Sequence, residues 1–577
     1  TNSMLSLRCL IGLAVIMMAA AGGRDKHDAN GKWGITRCGH LHAPHGDDAI
    51  EQIGGRIKHA GIHLNKTKGQ LLDMFRSDRS LRFDNCSTPN TTNATPMLFY
   101  IEDPPSSRRS IQHNHDHHDH HDHHDHHHHH RDHRDDGSSS SSVSLNTFRL
   151  RAASSNPLTL HSRPNATKKI CLDFKGRNIS GSAWNSGSSV IVAPPFDCDG
   201  NSQVLSSSEL SIIAQVWSEV AEQYSPFDVD VTTECTDDDI VRTDANDQRY
   251  GCRALVTPVS QTVCSGQCGG IAYVGVFGMI GSYYQPAFVM ADQLYCNAKW
   301  IADAASHECG HTLGLHHDGT NCQTAQGAAS GYYLGQGTGP TSWAPVMGAG
   351  YYVSRSMWNA GDYTCANNQE DDLAILAGML SYRPDDAPAA CATAALLAAG
   401  AGSDATVSGV IERTGDNDTY AVSVGAGRWT VNVSVGVAPL GPSLDTRVTL
   451  LDSACRELAS FNPADALGLA PSGLALPQGP ATTIYVRVGG VGKGSPLADG
   501  YSAFGSLGQY TLTLRLSSLP DASSPSGATT SGAPATTSGS PTTTSGAPTT
   551  TSGAPPTTTR APTTTTRAPT TTTRAPT

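Results

Sequence analysis

The sequence predicts an α+β fold followed by a β-sandwich, with linkers of biased composition around them. Three observations carry this. Between residues 157 and 386, short apolar strand patterns alternate with three stretches of helical character. From 387 to 518 only strand-type alternation recurs, punctuated by turn residues. Elsewhere the chain falls into His/Asp, Ser and Pro/Thr tracts that cannot bury a core.

Taken in order, residues 1–22 read as a secretory signal peptide: Arg8, then an apolar run from Cys9 to Met18, then Ala19, Ala20, Ala21 and Gly22. Residues 23–110 read as a pro-segment, with an amphipathic stretch around Ile50 to Phe75 and a strand at Met97 to Ile101. The linker 111–156 holds 14 of the 25 histidines, between 113 and 133, and a Ser run at 138–142. Such a tract binds divalent metals loosely or is simply a solvated linker; in neither case can it hold a rigid open site.

The region 157–386 opens with a strand at Lys169 to Phe174. Ser206 and Glu209 form a capping box, and Leu210, Ile213, Trp217, Val220 and Tyr224 follow at core-facing helical spacing until Pro226. Further strands are expected at Asp228 to Thr232, Arg253 to Thr257, Gly270 to Val274 and Ala287 to Met290. A helix follows over residues 298–313, capped by Asn297, with Ala302, Ala305, Cys309 and Leu313 facing the core. A last helix is expected over residues 370–380, before Pro384.

The helix over 298–313 carries the chemistry. His307 and His311 stand four apart, so both imidazoles reach one ion, with Glu308 beside them. Gly314 can adopt the left-handed conformation that turns the chain, returning His317 as a third nitrogen ligand. Three nitrogens and an open fourth position describe a single catalytic Zn2+, with Glu308 as general base. His316 is the bystander in this spacing.

His307-Glu308-Cys309-Gly310-His311-Thr312-Leu313-Gly314-Leu315-His316-His317-Asp318 resembles the metzincin zinc metallopeptidases, and Asp318 is similar to the reprolysin (adamalysin) branch. That resemblance implies a methionine turn, for which Met347 in Ser342 to Gly348 is the candidate. It implies a twisted mixed sheet with the active-site helix beneath it, and an edge strand that binds extended substrate, here Gly270 to Val274. Tyr224 to Glu234 and Ala304 to Gly319 look like a group of secreted bacterial and algal metallopeptidases. Tyr351 and Tyr352 lie farther from Met347 than the zinc-facing tyrosine of astacins and serralysins, so a Tyr ligand is not expected.

Arg37-Cys38-Gly39 is similar to the core of a cysteine switch, in which a thiolate fills the open metal position. His40-Leu41-His42 departs from the matrix-metalloprotease pattern, and a Cys38 to Cys86 disulfide is the other reading. Asp416 to Tyr420, Thr483 to Val488 and Gly508 to Leu512 resemble the prepeptidase C-terminal domain. Asp416 and Asp418 would be Ca2+ ligands or solvated loop carboxylates. The stretch 519–577 reads as an O-glycosylated or extended stalk, in which Arg560, Arg567 and Arg574 mark a repeat that runs to the last residue.

Net charge −12 without an aromatic-flanked basic patch gives nucleic-acid binding no support. No run after the signal is long enough to span a bilayer. Fourteen cysteines remain beyond the signal, and the even count of ten between 171 and 365 suits disulfides in an oxidising compartment; Cys264 and Cys268 fit a disulfide better than a second metal site. Eight sequons, beginning at Asn65, point the same way. The expectation is a secreted endopeptidase acting on extracellular or matrix proteins, attached to matrix or cell wall through its C-terminal regions. A matrix or adhesion protein with a peptidase-like fold is the alternative, and metal storage through the His tract a third reading.

Overall fold

The computed structural model describes residues 71, 74–75, 78, 80–84, 97–102, 104–105, 156–185, 189–264, 266–323 and 329–519. The signal peptide, Cys38, Cys86, the His tract and the stalk lie outside the described residues.

The first sheet has seven strands in the order β1-β2-β8-β9-β7-β3-β6. These are β1 (Leu81–Asp84), β2 (Met97–Ile101), β3 (Lys168–Asp173), β6 (Val229–Thr232), β7 (Tyr250–Thr257), β8 (Gly270–Tyr273) and β9 (Ala287–Met290). A small hairpin, β4 (Arg177–Ile179) and β5 (Ile191–Ala193), stands apart. Strands β3, β6, β7 and β9 are mutually parallel, and β8 runs antiparallel to β9. Their almost uninterrupted burial follows from cover on both faces and takes in polar residues such as Asp230 and Arg253.

One expectation is overturned. Gly270 to Tyr273 is not an edge, because β2 from the upstream segment pairs with it antiparallel, Phe99 opposite Tyr273 and Ile101 opposite Ile271. An open edge exposes a row of unpaired N–H and C=O groups that any extended segment can satisfy, and this chain supplies one from its own upstream residues.

Helix α1 (Ser207–Gln223) starts at the expected Ser206–Glu209 capping box and stops at Tyr224. Helix α2 (Ala298–Leu313) lies under the sheet, held to α1 by the Tyr224 hydroxyl, which donates to the Ser306 carbonyl at 2.9 Å. Ala302, Ala305, Cys309 and Leu313 are in the core. Below α2 come the parallel pair β10 (Trp343–Pro345) and β11 (Arg355–Met357), then α3 (Asp372–Leu380), two residues shorter than its pattern.

The remainder is two sheets. One runs β12 (Ala395–Leu396), β14 (Asn417–Val424), β19 (Thr482–Gly490), β16 (Thr446–Leu451), β17 (Glu457–Phe461). The other runs β13 (Asp404–Ile411), β20 (Gly508–Leu519), β15 (Gly427–Val437), β18 (Leu469–Gly479). Strands β13, β14, β15, β16, β19 and β20 carry most of the buried apolar residues of the two sheets. Strand β12 has two residues, and β17 and β18 are largely exposed, so their apolar signal is weak.

The cysteines pair as Cys171–Cys235, Cys198–Cys296, Cys264–Cys268, Cys322–Cys365 and Cys391–Cys455. Cys252 on β7 and Cys309 on α2 are buried thiols with sulfurs 2.8 Å apart, so the even count of ten does not resolve into five bridges.

Candidate metal centre

The centre begins with how α2 starts and stops. The Asn297 side chain accepts from the Trp300 N–H, closing the first turn, and Gly314 at φ 110° ends the helix by returning its own N–H to the last carbonyls. The chain then turns beneath the helix, where the Asp318 N–H donates to the Met347 carbonyl at 2.8 Å and fixes the segment bearing His317. His307 and His311 come from adjacent turns of α2, and His317 arrives from the return. All three imidazoles are buried, with ring centroids 4.7 to 5.1 Å apart.

Each ring has an acceptor on Nδ1. For His307 it is the Val346 carbonyl at 2.8 Å, for His311 the Leu315 carbonyl at 2.8 Å, and for His317 the Asp78 carboxylate at 2.5 Å. When Nδ1 donates, the neutral ring turns its Nε2 lone pair inward, the tautomer that binds metals. Nε2 of His311 and of His317 lie 3.1 Å apart. Two lone pairs at that distance repel unless a cation lies between them, and a zinc ion with bonds of about 2.0–2.1 Å places tetrahedral ligand atoms about 3.3 Å apart. The donor set fits zinc.

Glu308 lies beside the imidazoles, fully buried, and neither carboxylate oxygen has a hydrogen-bond partner among the described residues. Burial, then the nearby Glu102 carboxylate, pushes its pKa well up. Met347 packs under the helix: a Cβ on Gly310 would sit 2.7 Å from its sulfur. His316 is buried rather than solvent-facing, its Nδ1 2.9 Å from the Glu370 carboxylate. Asp318 is buried too, and burial followed by Glu370 raises its pKa. Tyr352 points its hydroxyl at the Pro105 carbonyl, 2.6 Å away, and the ring of Tyr332, not Tyr351 or Tyr352, lies 4.4 Å from that of His317.

Sequence reasoning missed two carboxylates. Glu102 Oε1 stands 3.1 Å from Nε2 of His307, 3.5 Å from that of His311 and 2.6 Å from that of His317. These four side chains could hold one metal ion. Asp78 holds the far nitrogen of His317, with the Ser80 hydroxyl 3.2 Å from it. Both carboxylates belong to the upstream segment, and Glu102 is 215 residues from His317 in sequence. The one available signal was the alternation of Met97 to Ile101, which puts Tyr100 and Glu102 on a common face without saying what that face meets. Burial drives His311 down to about 3, whereas at His317 the Glu102 and Asp78 carboxylates outweigh burial and raise it to about 10.

Residues 210–354, which span the ligand helix and Met347, match the family model Reprolysin_5, metallo-peptidase family M12. This stretch is similar to M12 metallo-peptidases. The match covers well under half of the chain. No curated protein matches it significantly. Among solved structures, the chain resembles the periplasmic lysozyme inhibitor PliG of Aeromonas hydrophila at 15% identity, over 21% of this chain and 94% of that one, with a TM-score of 0.16. The pre-peptidase C-terminal domain of collagenase from Bacillus anthracis aligns at 16% identity, over 23% and 97%, with a TM-score of 0.14. A PliG mutant from Escherichia coli gives 18%, 20%, 88% and 0.14.

No helix among the described residues is long and apolar enough to cross a membrane. Among the described residues two all-carboxylate groups, Asp197, Asp199 and Glu209, and Asp385, Asp416 and Asp418, have oxygens within 4.8 Å of one another; the latter contains the two aspartates of the Ca2+ expectation.

Proposed function

We propose that the chain is a secreted zinc-dependent endopeptidase of extracellular proteins, with its catalytic unit at 157–386 and His307, His311 and His317 as zinc ligands. The observation that carries the reading is the convergence of three imidazoles, each with an acceptor on Nδ1, next to a buried carboxylate that has no hydrogen-bond partner among the described residues. Zinc bound there supplies a Lewis acid that polarises the scissile carbonyl and acidifies water.

The chain's own groups do the rest. Glu308, buried beside the imidazoles, would take the proton of the attacking water as general base and deliver it to the leaving amine. Val346, Leu315 and Asp78 hold the imidazoles in one tautomer, and Met347 fixes the floor of the centre. Once β2 has left, the freed backbone groups of β8 would align an extended peptide in the antiparallel register that β2 occupies here. The 387–518 sandwich then serves attachment to matrix or cell wall, a role supported by sequence resemblance alone.

The test is casein hydrolysis by the secreted chain after limited proteolysis of its upstream segment, with zinc content measured alongside. Glu308→Gln should keep one zinc and lose hydrolysis, and His311→Ala should lose both. Wild-type rates in the Gln variant would sink the mechanism.

A further inference from the structure

We propose that Glu102 is a fourth protein ligand of the metal and that β2 carries it there in the position of a substrate, so that the intact chain is latent through a carboxylate. This rests on the zinc peptidase reading above, and concerns a residue to which that reading gives no role.

The backbone places Glu102. Beyond the β2–β8 pairs, the Glu102 N–H donates to the Gly270 carbonyl at 2.9 Å, and its own carbonyl accepts from the Gly269 N–H at 2.8 Å. A residue held at both N–H and C=O has its Cβ direction fixed. Alternation along the strand then sorts the side chains. Met97 and Phe99 enter the apolar cluster with Ile271, Tyr273 and Phe288, while Tyr100 and Glu102 point to the imidazoles. The Tyr100 ring lies 4.4 Å from that of His311 and 3.9 Å from that of His317, covering the centre on one side.

The side-chain geometry is that of coordination. Glu102 Oε1 lies 2.6 to 3.5 Å from the three Nε2 atoms, and those of His311 and His317 are 3.1 Å apart, near the edges of about 3.3 Å that zinc imposes on its ligand atoms. All four are acceptors once each Nδ1 donates, so a cation satisfies them together where hydrogen bonds cannot. Occupation by Glu102 also shields Glu308, whose carboxylate lies against Gly270 on the strand that β2 covers. The latch needs no thiolate. An activating cut on the C-terminal side of Glu102 severs the main-chain link between β2 and the later strands of the sheet.

One arrangement competes without a metal. A doubly protonated His317 could bridge Asp78 and Glu102 as an ion pair, and Glu102 would then be a charge partner and not a ligand.

Cobalt(II) replacing zinc in the full secreted chain separates the two, because its visible spectrum reports the ligands and whether an added chelating ligand reaches the metal. With acetohydroxamate as probe, the intact wild-type spectrum should not shift, and that of Glu102→Gln, isosteric and able to keep the backbone pairing, should. Limited proteolysis that releases the segment ending at Glu102, followed by mass spectrometry, should give the wild-type chain the same shift together with hydrolysis of a quenched peptide. This second measurement needs no variant. Equal shifts in intact wild type and Glu102→Gln would overturn the latch while leaving the metal site standing. Failure of both to take up one cobalt per chain would overturn the zinc reading itself.

Discussion

Gly270 on β8 and Glu308 on α2 are in contact so close that a Cβ on Gly270 would overlap Oε1 of the carboxylate. The sheet therefore comes down onto the helix at the residue proposed as general base, and only a glycine allows it. Gly270→Ala should displace the carboxylate and lower peptide hydrolysis by about a hundredfold or more, since a misplacement of about 1 Å costs that much. Zinc content, set by the histidines, should stay at the wild-type level. Metal analysis beside a peptide assay reads both.

Met347 is fully buried beneath Gly310, and its carbonyl anchors the segment that carries His317. Truncation to alanine leaves a cavity at the floor of the centre and should cost about 2–5 kcal/mol. Met347→Leu, close in volume, should cost less than about 1.5 kcal/mol. Denaturant unfolding of both variants checks the order.

Glu222 on α1 is fully buried and accepts from both the backbone and the side chain of Gln509 on β20, joining the α+β unit to the sandwich. Burial raises its pKa to about 7, against which the Gln509 hydrogen bonds act only partly. The unfolded chain ionises this group above its ordinary value near 4.5, whereas the folded chain keeps it protonated up to about 7. Its contribution to stability therefore falls as pH rises through that window and is level above it. Glu222→Gln should match wild type near pH 4.5 and exceed it at pH 8 by up to about 3 kcal/mol, from 1.36 kcal/mol per pKa unit. Thermal unfolding at the two pH values decides.

Stripping the metal should loosen the region around α2, because the four buried side chains then lose the cation that joins them. Dialysis against a strong chelator should lower the unfolding midpoint, and zinc should restore it. At free zinc 1,000 times its dissociation constant the gain is about 4 kcal/mol. An unchanged midpoint would argue that the four side chains are held by ion pairs alone.

The local elements were legible along the chain. Ser206 and Glu209 specify where α1 begins, Asn297 and Gly314 where α2 begins and ends, and the spacing of His307, His311 and His317 nominates a shared ion, because caps and helical periodicity act within a few residues. What β8 would pair with was not legible. Strand partners are chosen by backbone groups common to every residue, so the sequence around Gly270 cannot say whether its neighbour is a substrate or the chain's own β2. Only the tertiary structure brought Asp78 and Glu102 to opposite nitrogens of one imidazole, and it did so through sheet pairing between segments that are distant in sequence.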